Sequence, residues 1–358
     1  MRILHFHEDL SFRGGAETYL LHLVRKQRAQ GYEAQIIETT KIDLAYFLRL
    51  SRRADVLHWH VVYYRTPLKF LFLLSQKSLL TMHDLVNFCP RLSMNFPTDG
   101  ELCLSPAGIH CWYKCGHKNL RDLLRHTLKR KLLQRASLIH CPSNFVKKAL
   151  TIYGFQKEKV EVLPLFLPLH KNWPRPLIKN YSHKNLRILF VGRETPGKGL
   201  SVLKKALEKL KTPFKAIGIG ANKKRILFFP QGELLLFPAL PRERLAFFYQ
   251  WADVLVMPNL APESFGFVGL EAAWFGCTII SSRPGGPEDW LQEKKGGFFF
   301  ERGNASMLCD LLETLARDRN KLRKLGEQAR EVAKSFLSFE EHFKTMAKMY
   351  EKVRTGSK

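Results

Sequence analysis

Short apolar runs bounded by polar loops recur along the N-terminal half of the chain and predict buried strands. The first run, Arg2–Phe6, is followed by a glycine-bearing loop, a helix through Leu20 and Val24, and a second strand at Glu33–Glu38. Later runs of the same character are ADVLHWH, SLLTMHD, SLIHCPS and KVEVLPLF. This alternation is typical of βαβ units, in which helices cover both faces of a parallel sheet.

The same pattern restarts after a segment with three prolines between Pro168 and Pro176, which is typical of a linker. Strand patterns then recur in LRILFVG, FKAIGIG, ADVLVMP and CTIISS, with helices expected at Leu200–Leu210 and Phe267–Phe275. A long helical stretch over 305–353 has an expected break near 335–338. The pattern therefore predicts an α/β fold with domains at 1–170 and 186–335, a linker at 171–185 and a C-terminal helix at 336–358. A ligand site is expected in the cleft between two such halves.

Composition adds a strong positive charge to this picture. The 358-residue chain has a formal net charge of +26, spread over both halves. Such a field favours polyanionic partners, namely nucleic acid, anionic lipid headgroups or phosphorylated substrates. Seven cysteines, an odd number, argue against a secreted disulfide framework, and MRILHFHED lacks the pattern of a signal peptide. We therefore expect a cytoplasmic protein, with a peripheral position at the inner face of the cell membrane as a further expectation.

A glycine-bearing loop follows the first strand of each half. In FRGGAE, Gly14 and Gly15 precede a helix whose first N–H groups are available to an anion, although a simple tight turn explains the loop equally well. In VGRETPGKG, Arg193 and Lys198 lie among glycines. An arginine and a lysine from one loop suit a diphosphate, because Arg binds it bidentately and Lys adds a point charge. Either cation alone would be compatible with an ordinary surface charge.

The stretch PESFGFVGLE places two carboxylates around an apolar run. Glu263 precedes a predicted helix, where an acid often only complements the helix dipole. Glu271 lies about two turns inside that helix, up to roughly 12 Å further along the axis. A carboxylate in such an apolar stretch needs a partner, and sugar hydroxyls are good donors.

Together these motifs resemble family 4 glycosyltransferases of the GT-B fold. The matching elements are P-E-S-F-G-x-x-x-x-E, the R-x-x-x-x-K loop, GGAE and the later GGPE, and the resemblance covers nearly the whole chain. It implies two Rossmann-like domains facing a central cleft, with the C-terminal helix crossing back to the N-terminal domain. It also implies retaining transfer of a hexose-type sugar from a nucleotide sugar, with UDP as the expected carrier and no obligatory metal or other cofactor.

The resemblance also implies roles for individual residues. Glu263 would contact hydroxyls of the donor sugar, Glu271 the ribose, and His83 the sugar ring, with Asp84 towards the acceptor. Arg193 and Lys198 would neutralise the diphosphate. The implied donor-binding residues are Gly14, Gly15, Arg193, Lys198, Ser264, Phe265, Gly266, Phe267 and Glu271, and the implied catalytic residues are His83, Asp84 and Glu263. The implied acceptor is a lipid-linked sugar or a polysaccharide of cell-envelope glycan biosynthesis.

A cysteine-bearing loop follows the predicted catalytic histidine. Cys89, Cys103, Cys111 and Cys115 lie within it, close in sequence to two histidines, and such a set could bind zinc. The C-x2-C spacing of strong zinc sites is absent, and buried free thiols are common. We therefore expect a structural role and no metal.

The segment Lys118–Arg135 is a strongly basic predicted helix. Its apolar stripe is Leu120, Leu123, Leu124, Leu128 and Leu132. We expect this stripe to pack inward and the basic side chains to lie largely on other faces. The basic face would then be merely solvated, or it would contact an anionic membrane or a pyrophosphate-bearing acceptor.

Two other classes of function remain as alternatives to the glycosyltransferase. The charge is compatible with a nucleic-acid-binding protein, but the basic residues are dispersed and no nucleic-acid-binding signature is present. A non-catalytic protein that binds nucleotide sugars would use the same donor residues. The complete set of Glu263, Glu271, Arg193, Lys198 and His83 favours an enzyme over this alternative.

Overall fold

A computed structural model describes residues 1–11, 14–60, 77–85, 88–90, 94, 102–169, 172–179, 181 and 183–356. The chain divides into two compact units. The first comprises Met1–Pro168 together with Ser338–Lys358, and the second comprises Leu169–Leu337.

The first unit is built on a parallel six-stranded sheet in the order β2-β1-β3-β4-β5-β6. Its strands are β1 (Arg2–His7), β2 (Glu33–Glu38), β3 (Val56–His60), β4 (Ser78–Thr81), β5 (Leu138–Cys141) and β6 (Val160–Val162). Its first helices are α1 (Gly15–Ala29), α2 (Leu44–Arg52), α3 (His110–Tyr113), α4 (Leu120–Leu133) and α5 (Asn144–Ile152). β3, β4 and β5 are fully buried, as expected for central strands of a parallel sheet.

Side-chain caps explain where several of these helices begin. Asp43, Asn119 and Ser143 precede α2, α4 and α5, and each accepts a hydrogen bond from a backbone N–H three residues later. Such caps satisfy N–H groups that have no partner within the helix.

The second unit is built on an eight-stranded sheet in the order β13-β14-β12-β11-β7-β8-β10-β9. Its strands are β7 (Leu186–Val191), β8 (Phe214–Ile219), β9 (Arg225–Phe229), β10 (Gly232–Phe237), β11 (Val254–Met257), β12 (Thr278–Arg283), β13 (Gln292–Glu293) and β14 (Gly296–Glu301). Its helices are α6 (Leu200–Lys209), α7 (Arg242–Trp251), α8 (Phe267–Trp274), α9 (Ala305–Arg317) and α10 (Arg319–Ser335). The pairing is parallel except between β9 and β10, which form an antiparallel edge hairpin.

The last helix, α11 (Phe339–Thr355), belongs to the first unit, not to the second. Its Tyr350 hydroxyl lies 2.9 Å from Nδ1 of His58 on β3, and Nε2 of its His342 lies 2.9 Å from the hydroxyl of Tyr19 on α1. The face of α11 that carries these groups is buried, with both tyrosines out of contact with water.

The structure corrects the expectation for the basic helix. Only Leu123 and Leu132 of the predicted stripe are buried, whereas Leu120, Leu124 and Leu128 are exposed. Lys129 lies on the buried face instead. Burial lowers the pKa of Lys129 to about 8, while the nearby carboxylates of Glu8 and Asp84 act in the opposite direction. The stripe prediction was wrong because the packed face is formed by Leu123, His126, Lys129, Leu132 and Leu133, and the other three leucines lie on the opposite side of the helix.

Among the described residues, no helix is both long and apolar enough to cross a membrane. The predicted break near 335–338 is present between α10 and α11, and a second break at Asp318 separates α9 from α10.

Candidate active site

Two residues predicted on separate motifs form one ion pair in the second unit. Lys198 Nζ lies 2.7 Å from Glu263 Oε2, although 65 positions separate them in the chain. Asn259 Nδ2 donates to the same carboxylate oxygen at 2.6 Å. Both side chains of the pair are partly exposed, so the group is open to a ligand. Asn259 was missed at the sequence level, since an asparagine after a strand is common in ordinary turns.

The backbone holds the Lys198 loop directly against the loop that bears Glu263. The Gly197 carbonyl oxygen accepts from the N–H groups of both Leu260 and Ala261 at 2.9 Å. Gly199 has φ +70°, and a Cβ there would lie 1.7 Å from the Pro258 carbonyl oxygen. Only glycine fits at such a position. The glycines of VGRETPGKG therefore allow the approach that brings the lysine to the glutamate.

The GGPE turn supports the same loop from the other side. The Gly286 N–H donates to the Glu263 carbonyl oxygen at 2.7 Å, and a Cβ on Gly286 would lie 1.9 Å from the Ser264 carbonyl oxygen. The indole N–H of Trp290 donates to the Phe265 carbonyl oxygen at 2.6 Å. Two segments that are far apart in sequence, the Lys198 loop and residues 285–290, therefore fix the conformation of PESFG.

PESFG leads directly into the N-terminus of α8. Gly266 is the N-cap residue and Phe267 is the first helical residue, while Ser264 and Phe265 are buried. The first N–H groups of a helix have no intrahelical partner and favour an anion. The site thus combines a lysine, a carboxylate and a helix N-terminus, with the exposed Arg193 on the neighbouring loop.

The electrostatics of Glu263 favour its ionised form. Burial by itself would raise the pKa of this carboxyl group, but Lys198, Asn259 and Arg193 outweigh burial and hold the pKa below its ordinary value. Glu263 is therefore a carboxylate at neutral pH, and a carboxylate only accepts hydrogen bonds. It suits hydroxyl donors.

Glu271 already has protein partners. Arg242 donates to Oε1 from Nε at 3.0 Å and from Nη2 at 2.6 Å, and the Tyr249 hydroxyl donates to Oε2 at 2.7 Å. Burial and the neighbouring carboxylate raise the pKa of Tyr249 well above its usual value, which keeps the hydroxyl protonated. The requirement for a partner, inferred from the sequence, is thus met by Arg242 and Tyr249. Neither had a motif that could reveal it.

Arg242 retains donor capacity beside this buried carboxylate. Its guanidinium lies 4.8 Å from the centre of the Trp173 ring, and its Nη1 is buried without a hydrogen-bond partner among the described residues. Each carboxylate oxygen of Glu271 can accept more than one hydrogen bond, so a ribose hydroxyl can still donate to it. This ribose contact stays a prediction.

The remaining predicted residues lie in the first unit. His83 follows β4, and its Nε2 lies 3.1 Å from Nδ1 of His60. Burial lowers the pKa of His83 well below its usual value, and His140 and His7 act in the same direction. His83 is therefore a neutral imidazole at physiological pH. Asp84 lies beside it in the chain and near the buried Lys129.

The first glycine loop is partly described. Gly14 is the N-cap of α1, and its N–H donates to the Glu17 carboxylate at 2.8 Å. This carboxylate also lies 3.3 Å from Nε2 of His7. Gly15 begins α1, while Phe12 and Arg13 lie outside the described residues. The structure shows a protein carboxylate at this helix N-terminus, so Glu17 already serves the N-cap N–H.

The cysteines of the predicted loop are free thiols. Sγ of Cys111 and Sγ of Cys103 lie 3.4 Å and 4.0 Å from Nε2 of His110. Burial raises the pKa of both thiols, which favours the protonated form over the thiolate that metals need. Within the described ranges, the side chains close enough to share an ion are His5, His58 and His60, and the cysteines are not among them.

Comparison with known proteins identifies the family. The model for glycosyl transferases group 1 matches residues 178–332, and the model for glycosyltransferase family 4 matches residues 13–171. The chain belongs to these glycosyltransferases. One relative, the sulfoquinovosyl transferase SQD2 of Arabidopsis thaliana, is 33% identical over 156 residues, which are 42% of this chain and 30% of that protein. The chain spans less than half the length of the first curated relatives that it matches.

Solved structures show the same architecture. Sucrose-phosphate synthase from Thermosynechococcus elongatus superposes with a TM-score of 0.73 at 16% identity, covering 99% of this chain and 100% of that one. HepE of Anabaena, in complex with UDP-glucose, has a TM-score of 0.70 at 16% identity, covering 98% and 100%. The predicted GT-B fold with two Rossmann-like domains is confirmed. Family membership also favours the glycosyltransferase hypothesis over the nucleic-acid alternative.

Proposed function

We propose that this chain transfers a hexose from a UDP-sugar to an acceptor hydroxyl with retention of anomeric configuration. The observation that carries the proposal is the Lys198–Glu263 pair, held at 2.7 Å beside the N-terminus of α8. It places a cation, a carboxylate and free helix N–H groups in one partly exposed site. A nucleotide sugar needs this combination, since its diphosphate is anionic and its sugar presents hydroxyls. HepE has a similar fold and was solved in complex with UDP-glucose, and this supports a UDP-sugar as the donor.

In the proposed reaction the bond between the anomeric carbon and the diphosphate oxygen breaks. The acceptor oxygen bonds to the same face of that carbon, and its proton passes to the departing phosphate oxygen. Lys198, Arg193 and the N–H groups from Phe265 to Phe267 stabilise the negative charge that develops on the diphosphate. Glu263 accepts hydrogen bonds from sugar hydroxyls and thereby orients the ring.

His83 and Asp84 complete the proposed set of residues. His83, as a neutral imidazole, contacts a hydroxyl of the transferred sugar, and Asp84 lies towards the acceptor. Glu271 contacts the ribose through carboxylate lone pairs that Arg242 and Tyr249 leave unused. Gly14 and Gly15 leave room for the diphosphate because they carry no side chain.

The test is turnover by the purified full chain. A thermal-shift screen of nucleotide sugars selects the donor, and transfer or donor hydrolysis is then measured for wild type, Glu263→Ala and Lys198→Ala. Loss of one group that stabilises charge in the transition state lowers kcat by about 10²- to 10³-fold. Binding of a nucleotide sugar without turnover in wild type would favour the non-catalytic alternative.

A second ion pair provides a matched control. Lys352 Nζ lies 2.9 Å from Glu161 Oε1 in the first unit, and its side chains are about as exposed as those of the Lys198–Glu263 pair. Exposed pairs of this kind contribute only about 0–1 kcal/mol to stability. Lys352→Ala and Glu161→Ala are therefore expected to keep full turnover and an unchanged fold. If alanine substitutions in the two pairs have the same effect on turnover, the Lys198–Glu263 pair is structural and the proposal is wrong.

The acceptor side of the proposal concerns α4. Its exposed face combines Leu120, Leu124 and Leu128 with the basic residues Arg121 and Lys131. These positions share one side of a helix, because residues four apart lie one above the other. An apolar row among cations is typical of helices that lie in an anionic membrane interface. We propose that α4 contacts the inner face of the cell membrane, where a lipid-linked sugar or a nascent envelope polysaccharide is the acceptor.

A further inference from the structure

A continuous chain of buried side chains joins the predicted catalytic histidine to a backbone carbonyl in the first unit. We call this chain the histidine relay. Its members, in order, are His83, His60, His5, Gln27, Tyr350, His58, Thr81 and His140, and its far end is the carbonyl oxygen of Leu163. Successive atoms lie 2.7 to 3.1 Å apart. Every member except His83 is out of contact with water.

The direction of the hydrogen bonds is fixed at the carbonyl end. The Leu163 carbonyl oxygen can only accept, and His140 Nε2 lies 2.7 Å from it, so this nitrogen carries the proton. Nδ1 of the neutral His140 must then accept, and it accepts from the Thr81 hydroxyl at 2.9 Å. Thr81 has used its only proton, so its oxygen accepts from Nε2 of His58 at 2.7 Å.

The same reasoning continues through the middle of the relay. Nδ1 of His58 must accept, and the Tyr350 hydroxyl donates to it at 2.9 Å. The Tyr350 oxygen then accepts from the amide nitrogen of Gln27 at 2.8 Å. This orients the Gln27 amide, whose oxygen accepts from Nε2 of His5 at 2.8 Å.

The last two bonds determine the tautomer of His83. Nδ1 of His5 accepts from Nε2 of His60 at 3.0 Å, and Nδ1 of His60 accepts from Nε2 of His83 at 3.1 Å. His83 therefore carries its proton on Nε2. Its Nδ1 is left with a lone pair, and this buried atom has no hydrogen-bond partner among the described residues.

All members of the relay have to be neutral for this pattern to hold. Burial lowers the pKa of His5 to about 3 and that of His140 to about 4. Burial also lowers the pKa values of His58 and His60 well below the usual range. A neutral imidazole has one donor and one acceptor nitrogen, which is what each histidine inside the relay uses.

A metal ion is the competing use of the same side chains. His5, His58 and His60 offer ring nitrogens within 4.8 Å of one another. Each of their ring nitrogens already has a hydrogen-bond partner in the relay, including the direct bond between His5 and His60. An ion would have to replace these bonds, so the relay accounts for the cluster without one.

We propose that the histidine relay holds His83 as its Nε2–H tautomer and so presents Nδ1 as a hydrogen-bond acceptor to a substrate hydroxyl. His60, His5, Gln27 and Tyr350 are positioning residues in this proposal, since they act only through His83. The identity of the hydroxyl rests on the proposed function. The tautomer itself does not, because it follows from the hydrogen bonds of the free protein.

The test is nuclear magnetic resonance of protein labelled with ¹⁵N at histidine. Long-range ¹H–¹⁵N correlations distinguish a protonated ring nitrogen from an unprotonated one, and His83→Gln assigns the His83 signals among the thirteen histidines. Wild type is expected to show a protonated Nε2 and an unprotonated Nδ1. A protonated Nδ1 on His83 would overturn the proposal, whatever reaction the protein catalyses.

Two substitutions cut the relay between the carbonyl and His83. Tyr350→Phe removes the hydroxyl that orients Gln27, and Thr81→Val disconnects His58 from His140 in case the first variant fails to fold. Either cut permits the remaining bonds to reverse, so the His83 shifts move towards those of the other tautomer. Tyr19→Phe is the matched control, because it removes an equally buried tyrosine hydroxyl that bonds His342 outside the relay.

Activity provides the second measurement. If Tyr350→Phe leaves an even mixture of tautomers, turnover falls by about twofold, since only half of the molecules present the acceptor. Unchanged His83 shifts in both cut variants would show that the carbonyl does not set the tautomer. Shifts that move as expected in a protein without transfer activity would support the relay and reject the proposed function.

Discussion

Acidification to pH 5.5 is expected to destabilise the first unit selectively. His5, His140 and His342 are buried there, and burial lowers their pKa values to about 3, 4 and 3 from an ordinary 6.5. The unfolded chain takes up protons on these histidines as pH falls below 6.5, whereas the folded unit does not. Stability is therefore complete above pH 6.5 and is lost as pH falls towards the folded values.

The size of the loss follows from the linkage between protonation and folding. At pH 5.5 each of the three histidines favours the unfolded state by about 1.4 kcal/mol, or about 4 kcal/mol together, and at pH 5.0 the sum is about 6 kcal/mol. These figures depend mainly on the unfolded pKa, because the folded values lie well below the working pH. The loss is comparable to the whole stability of a typical domain, about 5–15 kcal/mol.

Hydrogen–deuterium exchange measures this loss in each unit separately. Amides of β3 and β5 report the first unit and amides of β7 and β8 report the second, after correction for the intrinsic pH dependence of exchange. Between pH 7.5 and 5.5, the opening free energy of β3 and β5 should fall by at least about 4 kcal/mol. His83, His58 and His60 also have lowered pKa values, so they increase the loss.

Substitution of one buried histidine is the control for this measurement. His342→Gln keeps polar atoms at the position and removes one titrating group, so the pH-dependent loss should shrink by about 1.4 kcal/mol at pH 5.5. Unchanged protection of β3 and β5 at pH 5.5, or an equal loss of protection in both units, would refute a selective destabilisation of the first unit.

The remaining predictions concern α4 and the buried partner of Glu271. Wild type should sediment with anionic vesicles and release at high salt. Reversing two exposed charges of α4 with Arg121→Glu and Lys131→Glu should weaken vesicle binding by about 30-fold or more. The control, Lys205→Glu with Lys209→Glu on α6, should leave vesicle binding unchanged. Binding that ignores lipid charge and salt would reject the membrane contact. Arg242→Ala should lower the free energy of unfolding in urea by about 3–5 kcal/mol, because Glu271 is left as an unpaired buried charge. Recovery of part of this loss on adding Glu271→Gln is expected, and an unchanged urea midpoint for Arg242→Ala would contradict the account.

The sequence predicted where many of the strands lie along the chain, whereas the roles of the donor-site residues stay predictions. Leu186–Val191 and Val254–Met257 were recognisable because a buried parallel strand needs a continuous apolar run, and that requirement is local. Gly199 and Gly286 were recognisable because close backbone approach excludes a side chain. The β9–β10 hairpin was not predicted, since its apolar residues lie at the sheet edge, where strand pairing and not a local pattern determines the structure.

Partners far apart along the chain could be assigned only from the tertiary structure. The contact of Lys198 with Glu263, the burial of Lys129 and the pairing of Arg242 with Glu271 all depend on how separate elements pack. The histidine relay is the clearest case, because it joins His5 on the first strand to Tyr350 on the last helix through Gln27. The sequence by itself determined which groups are present and which local structure bears them. Packing determined which of them are buried, which are paired and where each proton lies, since hydrogen-bond geometry and desolvation depend on neighbours that are distant in sequence.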